Sequence, residues 1–416
     1  MNAAMASPVV VAGGGMVGAA LALALGRAGV EVVVLEPQPP RPPEADGDWA
    51  LRCSAISPAS VRMLEQLGVW QSLPSRRLCP YRHMRVWDSQ SPAGLDFSAG
   101  EMALQALGWI VENHRIQHAL WQALQYTPGV RCLDAGLAGW ESSEGGLTLR
   151  LDDGRQLEAV LLVGADGRAS QVREQAGIPL RCHDYGQKAL VAVVDTEHPH
   201  AHTAWQRFLP TGPLAFLPLA DGCSSIVWTL DEDAARQTEA LEMDAFGRAL
   251  TAALDGRLGR CRLRSTVAGF PLRMQRAGSF IGPRLALVGD AAHVVHPLAG
   301  QGVNLGFLDA AALAEVLVEA IRRGEDPGDA RVLNRYQRWR KGDVLMTQEF
   351  MTVLQRLFGT RNGLLTGLRG LGMTLVDRSL LKRALAWHVA GQSEDHPRLS
   401  RRLALPRLAE GVTGDR

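Results

Sequence analysis

The chain has 416 residues, 46% of them apolar and 21% charged, a globular composition long enough for two or three hydrophobic cores. Its 44 Lys and Arg balance 43 Asp and Glu to a formal net charge of +1, which draws it to no phosphate backbone and excludes nucleic acid as a first partner. Six scattered cysteines without a CxxC pair exclude a zinc ribbon, a thioredoxin-type redox pair and a dense disulfide scaffold, and predict a reduced, cytosolic protein.

Residues 8–25 carry no charge and have the length of a membrane span. The residues before them hold no Lys or Arg, and Gly13, Gly14, Gly15 and Gly18 interrupt the run. A buried strand over 8–12 and a helix over 19–28, closed by Gly29, explain it better. The sequence EVVVLE at 31–36 predicts a second buried strand, which completes a βαβ unit. Five prolines within 37–43 require a loop.

Two further apolar strands end in acidic turns, 161–163 before Asp166 and 285–288 before Asp290. Strands alternating with helices predict a parallel sheet wrapped by helices. Between them, segments 84–88, 189–195, 204–209, 214–219 and 225–230 alternate apolar and polar residues, the pattern of an inserted antiparallel sheet. A helical period returns over 344–391, and the polar, proline-dotted stretch from 393 is expected to be disordered. The predicted class is α/β. A Rossmann-like nucleotide domain spans 1–80, 100–180 and 275–340; a substrate domain spans 81–99 and 181–274; C-terminal helices span 341–392.

Gly13, Gly15 and Gly18 form the GxGxxG fingerprint, a spacing that this glycine content produces by chance about 0.5 times per chain. Context decides here: a strand precedes it, a helix follows, and Glu36 closes the second strand 18 residues beyond Gly18. Such glycines let the backbone approach a pyrophosphate at a helix N-terminus, and Glu36 would accept ribose hydroxyls. The fingerprint alone does not separate NAD from FAD. The His198-Pro-His-Ala-His202 tract reads as a surface loop rather than a metal site.

Residues 284–309 read RLALVGDAAHVVHPLAGQGVNLGFLD. This run resembles the second FAD motif of the flavin-dependent aromatic hydroxylases, in particular the ubiquinone-biosynthesis hydroxylases. His296, Pro297, Ala299, Gly300, Gln301, Gly302, Asn304, Gly306 and Asp309 carry the likeness. Asp290 suits hydrogen bonds to a ribityl chain, and a helix beginning within 299–303 would turn backbone N–H groups toward the flavin. The blander readings are a helix cap for Asp290 and a satisfied polar pair for His293 and His296. No third ligand accompanies those histidines, so no metal is expected.

The likeness extends over roughly residues 5 to 390. Asp166 and Gly167 resemble the family's Asp-Gly motif, Arg52 stands where it keeps an arginine beside FAD, and Asn113 where a side chain faces the cofactor. Residues 77–87 and 204–206 most resemble the branch acting on a demethoxy-ubiquinol. The resemblance implies an FAD-dependent monooxygenase that uses NAD(P)H and O2, through a flavin C4a-hydroperoxide, to hydroxylate a polyprenyl phenol or quinol. Three alternatives stay open: a hydroxylase of another ring position or a soluble aromatic, an isoprenoid reductase, and a prenyl-binding carrier. Phe350, Met351, Leu354, Leu357 and Phe358, with Arg369, Lys382 and Arg383 beyond them, predict either a core stripe or peripheral contact with the inner face of a membrane, alongside other ubiquinone-biosynthesis proteins.

Overall fold

The computed structural model describes residues 7–89, 94–143, 145–295, 302–359, 395–401 and 403–408, with side chains of 350–359 left out. In chain order it opens with β1 (Val9–Ala12), α1 (Met16–Arg27), β2 (Val32–Leu35), β3 (Cys53–Ile56) and α2 (Pro58–Gln66). Next come β4 (Cys79–Tyr81), β5 (His83–Asp88), β6 (Gly94–Ser98), β7 (Gly108–Glu112), α3 (Asn113–Gln125) and β8 (Val130–Leu133). A meander of β9 (Leu137–Ser143), β10 (Gly146–Leu151) and β11 (Gln156–Ala159) leads to β12 (Leu161–Gly164) and α4 (Gln171–Gln175). Then follow β13 (Leu180–Thr196), β14 (Thr203–Leu209), β15 (Gly212–Pro218), β16 (Ser224–Asp231), α5 (Glu232–Glu239) and α6 (Met243–Ala253). The remainder is β17 (Cys261–Leu263), β18 (Ala268–Ala277), β19 (Ile281–Gly282), β20 (Leu285–Leu287), β21 (His293–Val294), α7 (Gly302–Arg322) and α8 (Ala330–Gly359).

The nucleotide-type sheet has the order β19-β20-β12-β1-β2-β8, parallel apart from β19. The sequences of β1 (VVVA) and β2 (VVVL) are buried along their whole length, as strands covered on both faces must be. Helix α1 is apolar all round because it lies between this sheet and α7; Leu21, Leu23 and Leu25 are fully buried, each contributing roughly 1.5–3 kcal/mol. Strand order reverses at β1, and in such sheets ligands bind beyond the carboxyl ends of the strands at that point. Leu35, Ala12, Gly164 and Leu287 lie side by side across β2, β1, β12 and β20. Glu36, Gly13, Asp166 and Asp290 therefore all emerge along one edge.

The inserted sheet, antiparallel except for the parallel β14–β5 pair, runs β21-β18-β13-β16-β15-β14-β5-β6, with β17 beside β13, and buries one face against α5 and α6. A smaller sheet, β3-β7-β4, carries a third core. The thiols of Cys79, Cys223 and Cys261 are buried, whereas Cys182 is exposed.

One expectation is corrected. The stretch from 393 is not disordered throughout: residues 395–401 and 403–408 pack on the nucleotide domain. Leu399 is buried, Arg398 N donates to Glu315 Oε2 at 2.7 Å, and Leu408 N donates to Ala28 O at 2.8 Å. Leucines spaced in a polar strap are enough to anchor it. The 198–202 tract is a surface loop, with His198, Pro199, Ala201 and His202 exposed and His200 as its buried anchor, Nε2 3.0 Å from Leu219 O. No described helix is long and apolar enough to cross a membrane.

Candidate active site

The three fingerprint glycines do different work. Gly13 has φ +109°, and a Cβ there would meet Ala165 O at 2.4 Å, so only glycine makes the turn from β1 into α1 against the end of β12. A Cβ on Gly18 would meet Gly13 O at 2.0 Å, which seats α1 against the turn. A Cβ on Gly15 would meet nothing within 4 Å. That open space lies at the N-terminus of α1, where orphan N–H groups and the helix dipole favour an anion. Glu36 accepts Gly14 N at 2.8 Å through Oε2 and Gln38 N at 3.0 Å through Oε1. Each oxygen keeps a lone pair for a hydroxyl.

Across the edge, Gly289 and Gly306 bring the second motif against the first. A Cβ on Gly306 would meet Val17 Cγ2 at 2.5 Å, and one on Gly289 would meet the same side chain at 3.2 Å. Asp290 is open to solvent but lies in a crevice whose walls desolvate it. That burial raises its pKa above the ordinary carboxylate value, although His293, Arg52 and Arg168 pull the other way. Arg52 and Asn113 share one hinge, with Asn113 N donating to Arg52 O at 3.0 Å. The side-chain Oδ1 of Asn113 is buried with no hydrogen-bond partner.

Other residues of the motifs hold the frame. Asp166 accepts Ser170 Oγ at 2.5 Å and Val172 N at 3.1 Å, so both its oxygens cap α4. Arg173, in that helix, ties it to the second motif through Ala291 O at 2.9 Å. The buried amide of Asn304 accepts Ser57 N and Ser60 Oγ and donates to Ala55 O, which pins α7 to β3 and α2. Gly302 is the first residue of α7. Gly300, Gln301 and His296 lie outside the described residues, as do the side chains of Phe350 and its neighbours.

His293 is paired with Asp309. Asp309 Oδ2 is 2.6 Å from His293 Nε2 and accepts Gly289 N at 3.1 Å, while Oδ1 accepts Arg340 Nε at 2.8 Å. Burial pushes the Asp309 pKa up, but His293 and Arg340 outweigh it and hold the carboxyl below its ordinary range. A second such cluster went unread in the sequence. Glu112, fully buried, accepts Arg77 Nε and Nη2 at 2.8 and 2.7 Å, Arg115 Nε at 2.5 Å and Ala50 N at 2.9 Å. The two arginines then bind the carbonyls of Glu44, Gly47 and Asp48, fixing the loop that delivers Arg52. No group of three metal-ligating side chains occurs among the described residues.

A flavin dinucleotide fits these residues: open backbone at Gly15 for a pyrophosphate, hydroxyl acceptors at Glu36 and Asp290, and an unpaired amide oxygen at Asn113. A family model described as an FAD binding domain matches residues 6–344. The 3-demethoxyubiquinol 3-hydroxylase of Escherichia coli (strain K12) is 40% identical over 385 residues, 92% of this chain and 98% of that one. Ubiquinone hydroxylase UbiL of Rhodospirillum rubrum is 39% identical over 97% of this chain and 92% of its own. The human mitochondrial ubiquinone biosynthesis monooxygenase COQ6 is 34% identical over 88% of each. Among solved structures, p-nitrophenol 4-monooxygenase PnpA of Pseudomonas putida DLL-E4 superposes with a TM-score of 0.74 at 21% identity, covering 93% of this chain and 99% of its own. PqsL of P. aeruginosa gives 0.73 at 24%, covering 88% and 99%, and both show the shared fold. The chain belongs to the ubiquinone-biosynthesis hydroxylases, FAD-dependent aromatic monooxygenases, and its cofactor is FAD.

Proposed function

We propose that this protein hydroxylates the ring of a polyprenylated quinol of the demethoxy-ubiquinol type, working on a substrate drawn from a membrane surface. What supports this reading is 40% identity to a hydroxylase named for that quinol, together with the open space at Gly15, the unpartnered buried Oδ1 of Asn113 and the desolvated carboxyl of Asp290. Bound FAD supplies the redox chemistry: two electrons from NAD(P)H and one O2 give a ring hydroxyl and water.

The chain's own residues do the rest. The orphan N–H groups at the N-terminus of α1, beside Gly15, would hold the pyrophosphate, Glu36 the adenosine ribose, and Asp290 the ribityl hydroxyls. Asn113 Oδ1, the exposed guanidinium of Arg52 and Gly302 at the start of α7 would contact the flavin, and the family motif assigns the same role to Gly300 and Gln301. Asp166 and Asn304 act on the cofactor through the turns that they lock. Excluding bulk water from the crevice keeps reducing power on the ring rather than on peroxide. The apolar and basic residues from Phe350 to Arg383 provide peripheral contact with anionic lipid.

The test is genetic and chemical. A strain lacking this protein is expected to accumulate a quinone one hydroxyl short of the mature ring, restored by wild type and not by Asp290→Ala. Accumulation of an intermediate with an unreduced prenyl chain and a complete ring would instead favour an isoprenoid reductase.

A further inference from the structure

The Arg52 side chain is exposed and makes no hydrogen bond or ion pair among the described residues, although it lies near enough to Asp290 to lower that carboxyl's pKa. Its place is therefore set by its backbone. On one side Asn113 N donates to Arg52 O at 3.0 Å. On the other, three residues back in the loop between β2 and β3, stands Trp49.

Trp49 is only 6% exposed despite its place in a loop. The backbone on both sides of it is pinned. Arg77 donates to Gly47 O at 3.1 Å and to Asp48 O at 3.3 Å, and Ala50 N donates to Glu112 Oε1 at 2.9 Å. The Arg77 guanidinium spends its in-plane donors on Glu112 and these carbonyls, which leaves its flat face for the indole; its central carbon lies 3.9 Å from the Trp49 ring centroid. Both groups are buried, the condition under which such a contact is strong.

The same indole reaches the substrate domain. Trp49 shares the third core with Val193, Ala204, Leu219 and Cys223 of the inserted sheet. Its N–H hydrogen-bonds Asp221, in the turn between β15 and β16. Burial pushes the Asp221 carboxyl up, but Cys223, Trp49 and Arg264 outweigh this and hold it below its ordinary range. The acceptor is itself fixed: Arg264 Nη1 donates to Asp221 Oδ2 at 2.7 Å and Cys223 N to Oδ1 at 3.4 Å. A large apolar ring with one polar handle suits a residue that must pack and donate at once.

We propose that Trp49 is a positioning residue: it ties the loop carrying Arg52 to the substrate domain at Asp221, and so fixes the Arg52 guanidinium at the flavin. This rests on the flavin contact proposed for Arg52 above.

The test titrates apo-protein with FAD, read by flavin fluorescence, and follows tryptic cleavage after Arg52 in the FAD-loaded protein. Trp49→Ala should weaken FAD binding roughly 10-fold and open Arg52 to trypsin. Trp49→Phe keeps a ring for Arg77 and loses the indole N–H; it should weaken binding roughly 3-fold, and Asp221→Ala should match it. A loss of packing alone would cost the same whether or not Arg52 is present. Positioning predicts otherwise: added to Arg52→Ala, Trp49→Ala should weaken FAD binding by less than about 2-fold more. Unchanged FAD affinity in Trp49→Ala, or its full cost repeated in the Arg52→Ala background, would overturn the proposal. If Trp49→Ala does not fold, Trp49→Phe and Asp221→Ala carry the same comparison. An Arg52→Ala protein that binds FAD as wild type does overturns the flavin contact of Arg52. Trp49 is then judged on cleavage alone, and a resistant Trp49→Ala protein overturns its hold on the loop.

Discussion

Nε2 of His293 lies 2.6 Å from Oδ2 of Asp309, and neither side chain is more than 1% exposed. The same carboxylate holds Arg340, which is also wholly buried, and the amide of Gly289 beside Asp290. Removing it leaves His293 without its carboxylate and the buried guanidinium with Asp343 alone, 2.6 Å from Nη1. Asp309→Ala should therefore cost about 3–5 kcal/mol, read from the urea unfolding midpoint, and should release FAD as the Asp290 turn loosens. Because the folded pKa of Asp309 is depressed, its stabilisation is present above its unfolded value and is lost as pH falls through the lower folded one. Wild-type midpoints should hold from pH 7 to 5 and fall steeply below about pH 4. A flat profile down to pH 3 would contradict this pairing.

Gly15 and Gly18 separate binding from folding. Gly15 has φ −64° and ψ 178°, which any residue adopts, and open space around its Cβ position. Gly15→Val should leave the apo-protein's melting temperature unchanged and abolish FAD occupancy. Gly18→Val should lower the melting temperature itself, since its side chain would drive into Gly13 O. Thermal melts and the flavin absorbance of the purified variants check both.

Asp290→Ala removes hydroxyl acceptors from the crevice. A hydrogen bond to a charged group is worth about 1.5–3 kcal/mol, so FAD affinity should fall roughly 10–150-fold. Asn113→Leu, which loses a neutral acceptor, should lower it by less, about 2–10-fold. Titration of apo-protein with FAD gives both constants, and an unchanged Asp290→Ala value would return that residue to a capping role.

Burial raises the pKa of Glu112, but hydrogen bonds from Arg77, Ala50 N and Arg115 overcome this and hold it below the ordinary value. Glu112→Ala should destabilise the fold by about 3–5 kcal/mol, measured by denaturant unfolding. Loop 44–50 should then become susceptible to proteolysis, because its carbonyls hang on the two arginines.

The βαβ start, the three acidic turns and the inserted sheet were legible because apolar period and glycine spacing are local signals. The division of labour within the motifs was not. Asp166 and Asn304 read as cofactor ligands by position, yet their polar atoms are taken by Ser170, Val172, Ser57, Ser60 and Ala55, partners that no spacing rule names. Glu112 and Arg77 are 35 residues apart, and Asp309 and Arg340 are 31 apart. Such pairs follow from topology, which decides which chain segments meet, not from any pattern within either segment. The strap at 395–401 and 403–408 was missed because four leucines among prolines and arginines carry no period.

Oxygen transfer from O2 to the quinol ring by the FAD-loaded protein is tested most directly by turnover of the prenyl quinol under 18O2, with NAD(P)H and mass analysis of the product. One 18O atom is expected in each new ring hydroxyl, with one O2 consumed per product. A product without label, or a reduced prenyl chain formed without O2 uptake, would contradict it.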